Sequence, residues 1–351
     1  MAPVNLLLLP GDGIGPEITD ATETVLRAAA PRFGIDLTLT RADIGFAALR
    51  IAGTTIPDAV VAAARAADGV ILGPVSHNAY PPVSDGGRNP SGVLRRELEL
   101  FANIRPACSR PGVPRAVAAD VDLIVVRENL EGFYADRNMV SGPAEFMVEP
   151  GVAIAMRKIT ARASSRIAQA AFELAATRKR KRVTAVHKSN VMRLSDGLFL
   201  SEVRQVAAAY TNVDYDEMLV DSAAAHLVRD PGRFDIIVTT NMFGDILSDL
   251  ASELSGGLGL APSLNLGPHY AVAQAQHGSA PDLARQDRAN PTSLIGSTAM
   301  LLRHLGHGAA ADAIDAALAG QLALPDTRTG DLGGAMGTQD FAKGVAALIA
   351  D

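Results

Sequence analysis

The sequence predicts an α/β protein of two domains built on mostly parallel sheets. Short apolar runs typical of buried strands alternate with longer Ala-rich stretches of helical character, and this alternation produces parallel, right-handed βαβ units. Hydrophobic residues make up 48% of the chain while Trp is absent, which is typical of helices packed on a parallel sheet. At 351 residues the chain is longer than single cores usually grow, so two domains are expected.

The first β-loop-α unit lies near the amino terminus. The run Val4–Leu9 predicts a buried strand, residues 11–15 a tight glycine loop, and Pro16 the opening of a helix that reaches about Ala30. Further apolar runs predict strands at Gly69–Leu72, 121–126, 183–187 and 234–240, and Ala-rich stretches predict helices at 60–67 and 164–177. Residues 73–90, rich in proline and glycine, predict an irregular loop beside the active site, and residues 256–268 a crossing between domains.

Bulk composition excludes several classes of function. A formal net charge of −6 argues against general binding to nucleic acid or anionic membrane, and the basic run 178–182 is interpreted as a solvated helix end. No apolar stretch is long enough to span a bilayer, and no signal peptide is indicated, so a cytoplasmic location is expected. The single cysteine, Cys108, suits a reducing compartment and predicts a buried apolar filler.

The glycines of residues 10–16, Pro-Gly-Asp-Gly-Ile-Gly-Pro, match the dinucleotide-binding fingerprint poorly. Their spacing is G-x-G-x-G instead of G-x-G-x-x-G, and the acidic residue at a suitable distance, Asp36, precedes the second apolar run instead of closing it. A standard Rossmann domain is therefore not expected.

Two carboxylates, Asp245 and Asp249, follow the strand predicted at 234–240. Four residues apart on a helix, they lie about 40° apart on one face, and such hard oxygen ligands suit Mg²⁺ or Mn²⁺. A helix cap and a solvated face are the alternative interpretation.

Arg95, Arg105 and Arg127 lie close to predicted turns and element ends. Converging guanidinium forks would hold a di- or tricarboxylate, although surface salt bridges are the alternative. Lys188 follows a predicted strand at the sheet edge where ligands bind, where a lowered pKa would make it a base; a snorkelling surface lysine is the alternative.

These segments, in this order, resemble the β-decarboxylating dehydrogenases, the family of isocitrate, 3-isopropylmalate, homoisocitrate and tartrate/D-malate dehydrogenases. The resemblance spans nearly the whole chain and lies chiefly in residues 11–17, 241–250 and 277–282, followed by Ala289-Asn290-Pro291. It implies an isopropylmalate dehydrogenase-like fold of two α/β domains with an active-site cleft between them. The larger domain would comprise residues 1–100 plus 256–351, and the smaller, residues 101–255, would hold the dimer interface.

The resemblance also implies roles for individual residues. Lys188 would be the base and Tyr134 the acid of the reaction. Arg95, Arg105 and Arg127 would bind substrate carboxylates. Asp245 and Asp249 would bind Mg²⁺ or Mn²⁺ together with Asp221 from a partner subunit, so that a homodimer shares Asp221 and Lys188 across its interface.

The predicted cofactor is NAD. Asp282 can accept hydrogen bonds from ribose hydroxyls but would repel a 2′-phosphate, and Asn290 matches the family's adenine contact. The residues predicted to bind the cofactor are His277, Gly278, Ser279, Ala280, Asp282 and Asn290. Gln274 stands where the family usually has a glutamate near the nicotinamide, which leaves its effect on cofactor placement open.

The substrate remains open between several 2-hydroxy acids. Ser91 and Gly92 stand where isopropylmalate enzymes have leucines, and a polar wall disfavours an isopropyl group. Asn89 with Ser91 suits either the third carboxylate of isocitrate or homoisocitrate, or a small malate- or tartrate-like acid. A 3-isopropylmalate dehydrogenase and a noncatalytic regulatory subunit of a heteromeric isocitrate dehydrogenase are the alternatives.

Overall fold

The computed structural model describes residues 3–117, 120–134 and 144–350, and the predicted α/β class is confirmed. The strands in these ranges are β1 (Val4–Leu9), β2 (Leu37–Arg41), β3 (Gly69–Leu72), β4 (Ala102–Cys108), β5 (Asp122–Glu128), β6 (Glu145–Glu149), β7 (Val152–Ala155), β8 (Arg182–His187), β9 (Asp214–Leu219), β10 (Ile236–Thr239), β11 (Pro262–Leu266) and β12 (Ala271–Ala275). The α-helices are α1 (Gly15–Arg32), α2 (Gly45–Ala52), α3 (Asp58–Ala66), α4 (Pro90–Glu97), α5 (Ala161–Thr177), α6 (Ser195–Ala207), α7 (Val220–Arg229), α8 (Asn241–Ser255), α9 (Thr292–His304), α10 (Gly308–Ala323) and α11 (Thr338–Ala350).

The chain divides into two compact units. The first comprises Met1–Leu98, Ser109–Arg115 and Gly256–Asp351, and the second Glu99–Cys108 and Ala116–Ser255. In the first unit the strand order is β2-β1-β3-β12-β11, with only the last pair antiparallel. This is not the strand order of a Rossmann domain, and the buried apolar strands β1, β3 and β12 form its core with α1, α9, α10 and α11.

The second unit has the strand order β4-β5-β10-β8-β9. Strands β5, β10, β8 and β9 run parallel, and β4 pairs antiparallel with β5. Side chains of β5, β8 and β10 pack with α7 and α8 in its core, while β6 and β7 form a separate antiparallel hairpin whose residues are exposed.

Parallel strands bring their carboxyl ends to one edge of a sheet, which is where ligands bind in open α/β folds. In the first unit, this edge gathers the loops that follow β1, β3 and β12: the Asp12 amide donates to the Pro74 carbonyl at 2.8 Å, and the Ile14 amide to the Ser279 carbonyl at 2.9 Å. In the second unit, the corresponding edge carries Arg127 and Lys188 and leads directly into α7 and α8.

Cys108 corrects the prediction of a buried filler, because it is exposed. It is the last residue of β4, where it pairs with Asp122 at the end of the ladder, so the apolar surroundings of the strand no longer cover it. Across the described ranges, no helix is both long and apolar enough to cross a bilayer.

Candidate active site

The carboxyl edge of the second unit holds most of the predicted catalytic residues. Arg127 is the penultimate residue of β5, Lys188 follows β8, Asp221 lies in the first turn of α7, and Asp245 lies in α8. Each is therefore fixed by an element whose buried strand or helix face leaves little freedom at the edge.

Arg127 is almost completely buried, with 2% of its side chain exposed. Its Nη1 donates to Oδ1 of Asp245, and its Nε and Nη2 donate to Oδ1 of Asn241 at 3.1 and 2.6 Å. Gly244 makes this packing possible, because a Cβ there would lie 2.6 Å from the Cγ atom of Arg127. The sequence Asn-Met-Phe-Gly-Asp thus supplies a partner, a gap and a counter-ion for one guanidinium group.

Arg105 reaches the same carboxylates from β4. Its Nη1 donates to Ser248 Oγ at 2.8 Å, to Asp245 Oδ1 at 3.1 Å and to Asp249 Oδ1 at 3.3 Å, while its Nε donates to Asn103. Burial and, to a smaller extent, the charge of neighbouring Arg127 lower the pKa of Arg105 to about 10, although the two aspartates oppose the shift. The group remains charged at neutral pH.

Tyr134 lies beside this array. Its hydroxyl donates to Asp245 Oδ2 at 3.5 Å, and the guanidinium carbon of Arg127 lies 5.8 Å from the centre of its ring. Tyr134, Arg105, Arg127 and the two aspartates of α8 therefore belong to one cluster.

Lys188 pairs with Asp221 within the same chain. Its Nζ lies 2.6 Å from Asp221 Oδ1, and the hydrogen bond from Lys188 lowers the pKa of this exposed carboxylate. Across the described residues of one chain, no three acidic, histidine or cysteine side chains converge to hold a metal ion. The three carboxylates predicted to bind a metal ion, Asp221, Asp245 and Asp249, are therefore not brought together within the described part of one chain.

The carboxyl edge of the first unit is organised by Asp12, a buried residue that sequence reasoning did not assign. Its carboxylate accepts hydrogen bonds from the amides of Phe46 and Ser76, at 2.8 and 3.0 Å, and from the hydroxyl of Tyr80. Burial and this bond raise the pKa of Tyr80 well above its ordinary value. The sequence feature that could have identified Asp12 is its position in the glycine loop directly after β1.

The segment predicted to bind the cofactor is held against that loop. The Ser279 carbonyl would lie 1.9 Å from a Cβ at Gly13, and the hydroxyl groups of Ser279 and Ser76 are 2.7 Å apart. The Nδ1 of His277 lies 2.9 Å from the Gly278 carbonyl, its Nε2 is buried without a partner, and burial lowers the pKa of the ring. Ala280 adopts a left-handed backbone with φ of 37°.

Asp282 and Asn290 differ in the exposure and hydrogen bonding of their side chains. Asp282 is exposed. Asn290 donates from Nδ2 to Asp331 at 3.0 Å and accepts at Oδ1 from the Thr292 amide at 3.0 Å, so its side chain holds the start of α9 and its neighbour Asp331.

The predicted substrate loop is also in the first unit. Asn89 caps α4 by accepting from the Gly92 amide at 3.3 Å, and Arg95 lies in the last turn of that helix. Ser91 donates to Oε1 of Gln274 at 3.2 Å, so the neutral amide that departs from the family pattern has a hydroxyl partner. A glutamate here could accept the same bond but would add a charge.

Three charged residues of the second unit with buried side chains, Glu128, Arg157 and Asp196, were not predicted from the sequence. Glu128, directly after Arg127, accepts from the amides of Leu130 and Glu131 at 2.9 and 2.7 Å, and burial raises its pKa to about 7. Arg157 and Asp196 form an ion pair with side chains that are 8% and 0% exposed. No local spacing links residues so far apart in sequence.

Comparisons with known proteins find similarity along nearly the whole chain. A model of the family described as isocitrate/isopropylmalate dehydrogenase matches residues 5–345. A 3-isopropylmalate dehydrogenase of Archaeoglobus fulgidus is 40% identical over 98% of this chain and 99% of its own length. The mitochondrial NAD isocitrate dehydrogenase catalytic subunit 6 of Arabidopsis thaliana is 40% identical over 98% and 88%. The crystal structure of isocitrate dehydrogenase from Methylococcus capsulatus superposes with a TM-score of 0.90 at 38% identity, covering 99% of this chain and 100% of that one.

Proposed function

This chain belongs to the isocitrate/isopropylmalate dehydrogenase family, and on that premise we propose that it catalyses the NAD- and Mg²⁺- or Mn²⁺-dependent oxidative decarboxylation of a 2-hydroxy acid with a carboxylate at C3. The observation that carries the proposal is the cluster of Arg105, Arg127, Asp245 and Asp249 in the second unit. A purely structural ion-pair cluster does not require two buried guanidinium groups to share one half-exposed carboxylate.

The cluster is suited to exchanging its partners. The N–H groups that now bond to Asp245 and Asp249 are the donors a substrate carboxylate would use. The aspartate oxygens that now accept from arginine are the hard ligands a divalent cation would use. A substrate carboxylate would therefore replace the aspartates as the partner of the arginines, and a divalent cation would replace the arginines as the partner of the aspartates. The buried charges would stay balanced.

The protein's own groups would move the protons. Lys188 would take the proton of the substrate hydroxyl, and Tyr134 would return a proton to carbon after carbon dioxide leaves. When bound, the nicotinamide accepts the hydride and the cation stabilises negative charge on the substrate oxygen. Arg105 and Arg127 would hold the carboxylates in place, with Arg95 as a third donor.

The first unit supports NAD as the cofactor. The Nε2 atom of partly buried His277 is itself buried and has no hydrogen-bond partner in the loop after β12, which fits a ligand that supplies one. Exposed Asp282 on the same segment would repel a 2′-phosphate. Gly278 leaves open space, since a Cβ there would meet no atom within 4 Å.

A homodimer is part of the proposal. Val191, Leu194 and Leu198 are exposed apolar residues that follow Lys188 along the chain, and Leu194 is 90% exposed. An exposed apolar patch of this kind marks a protein interface, and the hairpin of β6 and β7 exposes further apolar side chains, among them Met147 and Val148. A second chain on the patch would bring another copy of Lys188 and Asp221 near the site.

Polar residues in the substrate loop favour a polar C3 substituent. The contact of Ser91 with Gln274 and the capping bond of Asn89 leave amide and hydroxyl groups where an isopropyl side chain would need apolar contacts. Isocitrate, homoisocitrate, D-malate and tartrate are therefore the favoured substrates. A 3-isopropylmalate dehydrogenase is the alternative, and a regulatory subunit without turnover is a further one.

The test is NADH formation by the purified protein, with each of those acids and 3-isopropylmalate, with and without Mn²⁺. We expect Mn²⁺-dependent turnover with NAD and a higher kcat/KM for the polar acids than for 3-isopropylmalate. Preference for 3-isopropylmalate would contradict our interpretation of Ser91 and Gln274. Absence of turnover on all five acids would refute the proposed function and favour the regulatory subunit.

A further inference from the structure

Arg157 lies between β7 and α5, and its guanidinium group is the centre of a second buried cluster in the second unit. Its Nη1 donates to Asp196 and, at 2.8 Å, to Ser195 Oγ, while its Nη2 donates to Thr240 Oγ1 at 2.9 Å. Its guanidinium carbon also lies 5.9 Å from the ring centre of Phe133 and 5.6 Å from that of Phe243. One side chain thus makes three polar and two cation–π contacts.

Four of these five contacts lead to segments that carry residues with proposed roles. Asp196 accepts at its other oxygen from the backbone amide of Lys188. Phe133 immediately precedes Tyr134. Thr240 and Phe243 flank the start of α8, the helix that carries Asp245 and Asp249.

The cluster is closed to substrate. Asp196 is fully buried and the Arg157 side chain is 8% exposed, so its donors point into protein and not toward a ligand. Charge balance is internal, because the buried carboxylate and the buried guanidinium neutralise each other. The pair therefore cannot be explained as part of the binding surface for anionic substrates.

We propose that Arg157 is a positioning residue that holds the segments of Lys188, Tyr134 and Asp245 in a fixed mutual geometry. The proposal rests on the proposed function, since it concerns the residues assigned to that reaction. A planar guanidinium group is suited to this task because its five N–H donors have fixed directions and its faces stack on aromatic rings. A lysine ammonium could keep the charge but not the fork.

The expected signature is loss of kcat with little change in KM. A displacement of about 1 Å in catalytic geometry costs about 100-fold in rate, whereas Arg105 and Arg127 would still bind the substrate. We expect Arg157→Met to lower kcat about 100-fold and to change KM less than about threefold, and Arg157→Lys to recover part of the loss.

A matched control lies at the other end of the same helix. Arg178 follows α5 directly and pairs with Asp235, a buried carboxylate just before β10. Arg157 instead precedes α5 and contacts Thr240, just after β10. Arg178→Met therefore also removes a guanidinium group from a buried aspartate of this unit, away from the proposed catalytic segments. We expect it to lower the melting temperature as Arg157→Met does but to leave kcat within about twofold.

The experiment compares steady-state kinetics and thermal melting of the full-length wild type, Arg157→Met, Arg157→Lys and Arg178→Met with NAD, Mn²⁺ and the best substrate. If Arg157→Met does not fold, Thr240→Val takes its place, because it removes one bond and leaves both charges; its kcat should fall at least threefold. Unchanged kcat in the folded variant, equal losses of kcat in the Arg178 control, or no recovery by lysine would overturn the proposal. An inactive wild type would instead refute the proposed function.

Discussion

Gly244 shows how a single missing methyl group sets up the charged cluster. The residue lies in α8 against the aliphatic stem of Arg127, and the stem in turn directs the guanidinium group to Asp245 and Asn241. A side chain at this position would push the helix away from β5. The buried arginine would then lose contact with the groups that compensate its desolvation.

We predict that Gly244→Ala destabilises the protein by about 2 kcal/mol, the usual cost of forcing an extra methyl group into a packed site, and raises the KM for substrate. The control is Gly197→Ala in α6, where a new Cβ meets no atom within 4 Å. Alanine is the better helix former, so this variant should gain up to about 1 kcal/mol. Urea denaturation measures both, and equal stability of the two variants would contradict the packing argument.

Glu128 makes the stability of the folded protein depend on pH. Burial raises its folded-state pKa to about 7 from an ordinary 4.5, so the stability it contributes is complete below pH 4.5 and is lost as pH rises through about 7. The groups facing it are the amides of residues 129–131, the Glu131 carboxylate and Arg166. This difference between the folded-state and unfolded-state pKa corresponds to about 3 kcal/mol of stability.

We therefore predict that Glu128→Gln removes a loss of stability of about 3 kcal/mol between pH 5 and 8. The measurement is the unfolding free energy of wild type and variant, each followed across that pH range, with the pH 5 value of each protein as its own reference. A wild-type curve that runs parallel to the variant curve would show that Glu128 does not titrate there.

At the scale of elements, prediction from sequence succeeded where a strand is buried on both faces. Val4–Leu9 is apolar except for the exposed Asn5, Gly69–Leu72 has no polar side chain, and the structure gives strands with these bounds. β9 was not predicted because it lies at an outer end of the strand order and carries polar side chains, and β4 was not predicted because it includes Arg105 and Pro106.

Candidate site residues could likewise be predicted where they adjoin a buried apolar run. Lys188 and Arg127 stand at the ends of apolar runs, so their place at a sheet edge follows from local pattern, although their roles remain predictions. The contacts of Arg157 with Asp196 and Thr240 join residues 39 and 83 positions apart. Such contacts depend on how the helices and strands pack, which no periodicity in one segment encodes.

The glycine loop between β1 and α1 supports a prediction at this scale. A Cβ at Gly13 would overlap the Ser279 carbonyl, and the backbone there has φ of 59°. Gly13→Ala should shift the segment of residues 277–282 and raise the KM for NAD about tenfold, which is about 1.4 kcal/mol. Gly308→Ala, where a Cβ has no neighbour within 4 Å, is the control, and an unchanged KM for NAD in the Gly13 variant would count against this docking.

At the scale of the whole molecule, each unit has an edge formed by the carboxyl ends of parallel strands, and the two edges carry different kinds of polar group. The second unit concentrates ionic side chains: two buried arginines, Lys188 and three aspartates. The first presents hydroxyl, amide and backbone groups around Asp12 and Ser279. This separation fits a dinucleotide bound largely by neutral hydrogen bonds and a substrate bound by charge, and the proposed reaction requires both.

The proposed homodimer yields the last prediction. Leu194 is 90% exposed beside the Lys188 segment, so Leu194→Asp would place a charge in an apolar interface while disturbing little within one chain. Leu324→Asp, at an exposed position after α10 in the first unit, introduces the same charge elsewhere and should leave assembly unchanged. Sedimentation velocity should show a dimer for the wild type and the Leu324 variant, and a monomer for the Leu194 variant. Because Asp221 would come from the partner, the monomer should also lose Mn²⁺-dependent turnover, and an active monomer would refute a shared metal site.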